Sequence, residues 1–235
     1  MASDWHVAMN DSASAELPGT QPAQSKWLWL RIGATLVALV LVVVLFSLWP
    51  GGKRIVAPAE GSAEVGFARD MAMHHAQAVN LAMLLRDRSD DEEMRQLALD
   101  ILLTQQAQIG MMQGWLAVWG LPYASLEPAM AWMGMPTTDR MPGMASAAEI
   151  NQLQTLTGPA ADTLFIQLMI PHHRSGVDMA QAVLARSERP EVRALAQAIV
   201  NAQQSEISYM EELLARKGGQ PAPDEPAMNH EHMNP

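Results

Sequence analysis

One long apolar run stands out from the rest of the chain, in which apolar and polar residues alternate at helical spacing. Residues 27–49 are almost wholly apolar, and Arg31 is their single charged residue. A run of this length suits one crossing of a bilayer as a helix, and Trp27, Trp29 and Trp49 lie where interfacial anchors are found. The pattern therefore predicts a transmembrane helix over residues 27–49.

The segments beside this run are polar or rich in Pro and Gly. Residues 1–26 are predicted to be a disordered cytoplasmic tail, and residues 50–61 a linker. A long polar segment before the run argues against a signal peptide, although Ala57-Pro58-Ala59 resembles a cleavage site and keeps cleavage open as an alternative. Two basic residues near each end of the run leave its orientation undecided.

Four later stretches carry apolar residues with the period of an α-helix. The predicted helices are Ser62–Asp87, Asp90–Trp119, Pro159–Arg186 and Pro190–Lys217. Short turns join the first pair and the second pair, and a methionine-rich connector over residues 120–158 joins the pairs. Two short hairpins with one long connection predict an all-α fold, a ferritin-like four-helix bundle over residues 62–217. Residues 218–235 are predicted to be a disordered tail.

The two predicted hairpins are copies of one sequence, displaced by 98 residues. Phe67 to His75 matches Phe165 to His173, and the alignment continues without a gap for about fifty residues. Both copies keep a Met-x-x-His-His group. An internal duplication that preserves this group predicts that methionine and histidine side chains act together in each copy.

Helical-wheel positions and depth place these residues in the expected core. His75 lies near the centre of the apolar stripe of its helix and His74 at the edge, and the repeat places His173 and His172 in the same way. Stepping along each hairpin at about 1.5 Å per residue brings glutamine or glutamate beside each central histidine, and a further methionine one turn beyond. The candidate metal ligands from this geometry are Met71, His74, His75, Met112, Met169, His172, His173 and Met210. The residues expected to hold the second ring nitrogen of these histidine ligands are Gln105, Gln108, Gln203 and Glu206.

Thioether and imidazole together form a soft donor set that suits copper, above all Cu(I). A histidine whose second ring nitrogen is held by Gln or Glu is an ordinary arrangement for a metal ligand. The alternative interpretation is structural: methionine fills irregular cores, and a buried histidine is usually hydrogen-bonded. Pro171 is expected to kink the third helix beside His172 and His173.

Composition narrows the classes of function. The net charge is −10, which argues against nucleic-acid binding, and the absence of Cys excludes disulfides and thiolate metal sites. Methionine is abundant, at 18 residues. Two weaker groups of soft donors lie in the connector and in the C-terminal tail. They are Met130, Met133, Met135, Met141 and Met144, and Met228, His230, His232 and Met233.

The segment Met-Ile-Pro-His-His-Arg-Ser-Gly-Val-Asp-Met-Ala at 169–180 resembles the signature of the bacterial family called domain of unknown function 305, and 67–82 is a looser copy. The resemblance covers about residues 62–217. It implies a ferritin-like bundle of two repeats, exported or membrane-anchored, and some members are periplasmic copper-binding proteins linked to copper resistance. It adds Met179 to the ligands carried over. The first copy departs at Leu81, where the second has Met179, and at Met73, where the second has Pro171.

The leading hypothesis is a single-pass protein of the cell membrane whose extracytoplasmic bundle binds copper as a buffer or chaperone, without catalysis. A di-metal oxidase is less favoured, since such sites use Glu-x-x-His pairs that these helices lack. A structural or interaction module of a membrane complex is the other alternative. The expected partners are the membrane and a metal ion. The sequence names no protein partner and leaves open a homo-oligomer.

Overall fold

The computed structural model describes residues 23–48 and 56–220, and within these ranges the fold is all-helical, as predicted. The helices are α1 (Ala23–Leu48), α2 (Ala63–Arg86), α3 (Glu92–Trp119), α4 (Ala147–Thr155), α5 (Gly158–Leu184) and α6 (Pro190–Arg216), with a short 3-10 turn at Ala131–Met133. Residues 221–235 of the predicted C-terminal tail lie outside the described residues, and they include Met228, His230, His232 and Met233.

Helix α1 forms a unit by itself and contains the apolar run. It begins at Ala23, so residues 23–26 are helical although the sequence predicted a tail there. Its segment Trp27–Leu45 is long and apolar enough to cross a bilayer, a property that signal sequences share. Large apolar side chains along this segment are exposed.

The bundle helices begin and end where local chemistry favours it. Ser62 caps α2 by accepting a hydrogen bond from the Val65 N–H, and Asp91 caps α3 by accepting from Glu93 and Met94. Gly120 ends α3 in the left-handed conformation that glycine adopts readily. Pro190 occupies the first turn of α6, where its missing N–H costs nothing. Helix α5 continues through Pro171 without a break.

Helix α2 packs along α3, α5 packs along α6, and α2 packs against α5. The buried apolar residues form two clusters. One joins the first half of α2 to the second half of α5, and the other joins the second half of α2 to the first half of α5. The two copies are therefore antiparallel to each other at their contact. Between the clusters, at the middle of all four helices, lies a layer of buried polar side chains.

The connector is held against α2 by side chains that the sequence analysis did not single out. The buried Asp70 carboxylate accepts hydrogen bonds of 2.8 Å from the Met130 N–H and from the Trp132 indole N–H. Gly66, one turn earlier on α2, leaves the space that the Trp132 ring fills, and a Cβ there would overlap the ring. These contacts fix the 3-10 turn on the first half of the bundle.

The second half of the connector crosses α2 and α5. The Gln77 amide pairs with both backbone groups of Ala145, through bonds of 2.6 and 2.9 Å. The backbone of Gly143 lies so close to the Pro171 carbonyl that a Cβ would overlap it. Helix α4 follows, opened by a capping box between Ser146 and Glu149. The connector is thus an ordered cover with its own helix.

Candidate metal centre

Four histidines form the centre of the polar layer, and all four are fully buried. The rings of His74 and His172 are stacked, with centroids 3.7 Å apart and planes inclined by 30°. The His75 and His173 rings flank this pair, at 6.3 and 6.1 Å from their chain neighbours. The helical wheel placed His74 at the edge of its apolar stripe. Its side chain is nevertheless fully buried, because α2 and α5 meet there and cover it.

In three of these histidines, a hydrogen-bond acceptor determines that Nε2 carries a hydrogen. The Gln108 Oε1 atom accepts from His75 Nε2 at 2.7 Å, and the Glu206 carboxylate accepts from His173 Nε2 at 2.7 Å. His172 Nε2 donates to the His74 carbonyl at 3.0 Å. Carbonyl and carboxylate oxygens only accept, so each of these Nε2 atoms carries a hydrogen, and in a neutral ring the lone pair then lies on Nδ1.

Within residues 23–48 and 56–220, five buried ring nitrogens have no hydrogen-bond partner. They are Nδ1 of His75, His172 and His173, and both ring nitrogens of His74. Buried polar atoms are almost always paired, so such a group in one layer requires an explanation. Lone pairs on neutral imidazole are metal ligands. The layer therefore contains buried nitrogen atoms of the kind that bind a metal ion.

Burial keeps three of these imidazoles, those of His74, His75 and His172, neutral. It lowers the pKa of His74 and of His172 well below the usual value of 6.5, with the neighbouring histidines adding to the effect. Burial also lowers the pKa of His75 to about 3, although the hydrogen bond to Gln108 opposes it. A neutral imidazole offers its lone pair at pH 7 without first losing a proton.

Two glutamines in the same layer also lack hydrogen-bond partners in the part of the chain that the structure describes. Both amide atoms of Gln105 and of Gln203 are buried and unpaired, and the Gln203 amide lies against Gly176, where a Cβ would overlap it. These side chains occupy equivalent positions in the two repeats. The residues that hold His75 and His173 are Gln108 and Glu206, one turn further along α3 and α6, as the depth estimate placed them.

The candidate methionines are all fully buried, and the histidine layer divides them into two sets. Met71, Met112 and Met179 belong to the apolar cluster on one side, whereas Met169 and Met210 belong to the other. Met179 of the second copy thus joins the methionines of the first copy, because the copies are antiparallel. The connector adds Met130, Met133 and Met141 to the first side, and Met135 and Met144 pack at its margin.

Among residues 23–48 and 56–220, no three His, Asp or Glu side chains converge on one point as a ready-made site. A metal bound here would therefore need methionine sulfur ligands in addition to imidazole, or would have to move the rings of His74 and His172 apart. The donor set fits a soft cation such as Cu(I).

Asp70 and Gln77 are the polar residues of this region that the sequence analysis missed. Their counterparts 98 positions later are Leu168 and Ser175. Neither counterpart carries the carboxylate or amide group with which Asp70 and Gln77 bind the connector, and this difference between the copies was the available signal. Asp70 is buried, which raises its pKa, while its bonds to Met130 and Trp132 act in the opposite direction.

Comparison with known proteins identifies relatives of this bundle. The family model described as "Domain of unknown function (DUF305)" matches residues 64–214. A DUF305 protein from Streptomyces coelicolor, named as secreted, is 48% identical, with 71% of this chain and 100% of that chain covered and a TM-score of 0.68. A DUF305 fragment from Deinococcus radiodurans is 40% identical, with 68% and 99% covered and a TM-score of 0.57.

A third similar structure is that of CopM in its Cu(I)-bound form. It is 26% identical to this chain, with 67% of this chain and 99% of that chain covered and a TM-score of 0.51. A comparison with curated proteins gave no match.

Proposed function

This chain belongs to the DUF305 family, and on that basis we propose that it is a membrane-anchored, extracytoplasmic copper-binding protein that buffers or delivers the ion. The observation that carries this proposal is the layer of four buried histidines with five unpaired ring nitrogens. The similar structure of CopM with Cu(I) supports the choice of metal. Methionine sulfur on both sides of the layer supports it as well.

The residues that would hold the ion are His75 and His173 through Nδ1, with His74 and His172 between them. Copper bound here would be shielded from water by two apolar clusters, which slows exchange and protects Cu(I) from oxidation. The proposal is non-catalytic: Glu206 is a single carboxylate beside a histidine, whereas the di-metal oxidases of this fold use four glutamates.

Copper titration of the full chain in detergent tests the assigned site. We expect wild-type protein to compete with a Cu(I) chelator under anaerobic conditions, and the double variant His75→Ala/His173→Ala to lose at least about a hundredfold in affinity, because ligands are removed directly. Retained affinity in a folded double variant would overturn the site.

A matched variant separates ligand loss from structural damage. Met83 is an exposed residue of α2, and Met83→Ala removes a sulfur outside the layer. This variant should bind copper as wild type does, and both proteins should keep their helical circular dichroism. A wild-type protein that binds no copper would favour the structural alternative.

Helix α1 is the proposed membrane anchor. Its apolar segment Trp27–Leu45 leads us to expect that the full chain stays in the membrane pellet after an alkaline carbonate wash. Leu36→Arg/Leu41→Arg places two charges near the centre, each costing about 3 kcal/mol or more of insertion, and should release protein into the soluble fraction. Release of the wild-type bundle after cleavage near residues 57–59 would instead indicate a signal sequence.

A further inference from the structure

Among residues 56–220, the exposed large apolar side chains are concentrated on the first hairpin, which α2 and α3 form. Five lie on these two helices, whereas within the described residues α5 has none and α6 has one, Tyr209. The five are Met73, Met83, Leu103, Met111 and Val118. The exposed residues of 73–83 and 103–118 are named here the outer face of the first hairpin.

The outer face carries no charged side chain. Residues 71–85 of α2 and 101–119 of α3 contain no Asp, Glu, Lys or Arg. The surface side of an amphipathic helix normally carries charged and polar residues. The ten exposed residues of α3 between Leu103 and Val118 are instead Leu, Thr, Gln, Ala, Gly, Met, Gln, Gly, Ala and Val.

The second hairpin shows what the same fold carries where this face meets water. Arg174 of α5 and Glu211 of α6 are both half exposed and form an ion pair at 3.0 Å across its outer side. The repeat aligns these two residues with Ala76 and Gln113. Ala76 and Gln113 are therefore level with each other on the outer face, and the fold tolerates charges at both positions.

Two glycines in the middle of α3 point in the same direction. Gly110 and Gly114 align with Ser208 and Glu212 of α6. In the described residues, a Cβ added at either glycine would meet nothing within 4 Å beyond its own helix, so packing inside the bundle does not require glycine there. Glycine weakens a helix interior, and its missing Cβ lets another backbone approach closely.

A second copy of this chain fits the outer face better than a lipid surface does. The net charge is −10, so two copies repel each other and can approach closely only where charge is absent. An isologous contact places one patch against itself, so any charge near its centre would face the same charge. A helix that binds a bilayer surface carries Lys or Arg beside its apolar residues, and residues 101–119 contain neither.

The size of the face sets the strength of the contact. Helix α3 rises about 22 Å from Leu103 to Val118, and two adjacent helices are about 20 Å wide, which gives about 450 Å² per copy. Stable interfaces take about 800 Å² from each partner. The area therefore corresponds to a transient, reversible contact.

We propose that the outer face of the first hairpin is a self-association surface, through which two copies of this chain form a reversible isologous dimer with α3 packed against α3. The proposal goes beyond copper binding and does not depend on it, because the face uses no side chain of the histidine layer.

Sedimentation equilibrium of the full chain in detergent tests the surface. The mean protein mass of wild type should rise from one chain toward two as the protein concentration increases. The test variant gives the first hairpin four charges of the second hairpin and leaves the net charge unchanged. It is Ala76→Arg/Gln113→Glu/Gly114→Glu/Val118→Arg.

We expect this variant to raise the dissociation constant at least about a hundredfold, because each new charge is buried twice in an isologous contact. Its helical circular dichroism and thermal unfolding should stay close to those of wild type, since the second hairpin accommodates the same residues. The matched control Gln181→Arg/Gln204→Glu places one charge of each sign at exposed positions of the second hairpin and should associate as wild type does.

Cross-linking tests the position of the contact, because the chain has no Cys. In the full chain, Gly110→Cys or Gly114→Cys should join two copies through a short bis-maleimide, whereas Gln204→Cys should not. The proposal is overturned if wild type remains a single chain at every concentration, or if the test variant associates as tightly as wild type. It is also overturned if both glycine positions give no cross-link, including the case in which phosphatidylcholine vesicles shield the two cysteines. None of these results bears on the copper proposal, which the His75→Ala/His173→Ala variant tests.

Discussion

Metal-free protein is expected to lose most of its stability between pH 6.5 and pH 4. The three buried imidazoles with lowered pKa values, those of His74, His75 and His172, stay neutral when folded. In the unfolded chain they take up protons near pH 6.5. The unfolded state therefore binds more protons below that pH, and the free energy of unfolding falls with pH.

The size of this effect is large for a small bundle. Each such group contributes about 1.4 kcal/mol per pH unit, so three contribute about 4 kcal/mol per unit below pH 6. Domains are stable by about 5–15 kcal/mol in total. Urea unfolding of the chelator-treated full chain, followed by circular dichroism from pH 7.5 to 4, measures the slope.

The control replaces the stacked rings by apolar rings. His74→Phe/His172→Phe keeps two aromatic side chains where the centroids lie 3.7 Å apart and removes two of the three titrating groups. Its slope should fall to about 1.4 kcal/mol per pH unit. Stability that does not change between pH 7 and pH 4.5 in wild type would contradict neutral burial of these histidines.

Much of the candidate site could be predicted from the sequence, because it depends on the repeat and on the depth of each residue within its own hairpin. The turn in each hairpin fixes which residues of its two helices are level, and this placed Gln108 beside His75 and Glu206 beside His173. The repeat then transferred one result to the other copy. These inferences needed no knowledge of how the two hairpins meet.

What could not be predicted depends on the contact between the hairpins. The stacking of His74 on His172 and the place of Met179 among the methionines of the other copy follow from the antiparallel packing of α2 on α5. A wheel drawn for one helix contains no information on that packing. Helix α4 was missed for a different reason, since nine residues show too little periodicity to stand out from a loop.

Replacing Pro171 by Met is expected to stabilise the bundle by about 1–3 kcal/mol. A proline inside a helix removes one N–H donor and crowds the carbonyl four residues earlier, at a cost of about 3 kcal/mol. Helix α5 nevertheless continues through this position, so the cost is carried by the folded protein. The first copy has Met73 at the matching position, where it is half exposed, and this shows that the repeat accommodates a methionine there.

Thermal and urea unfolding of metal-free Pro171→Met against wild type measures the change, with Met73→Leu as a control that alters the matching site without changing a backbone donor. The gain is expected to be smaller than the full helix penalty, because the connector backbone at Gly143 lies against the Pro171 carbonyl and has adapted to it. If Pro171→Met is no more stable than wild type, the contact with Gly143, rather than the helix penalty of proline, determines which residue is preferred at position 171. A gain in stability joined to a loss of copper affinity would show that the proline holds His172 and His173 in a ligating position at the expense of stability.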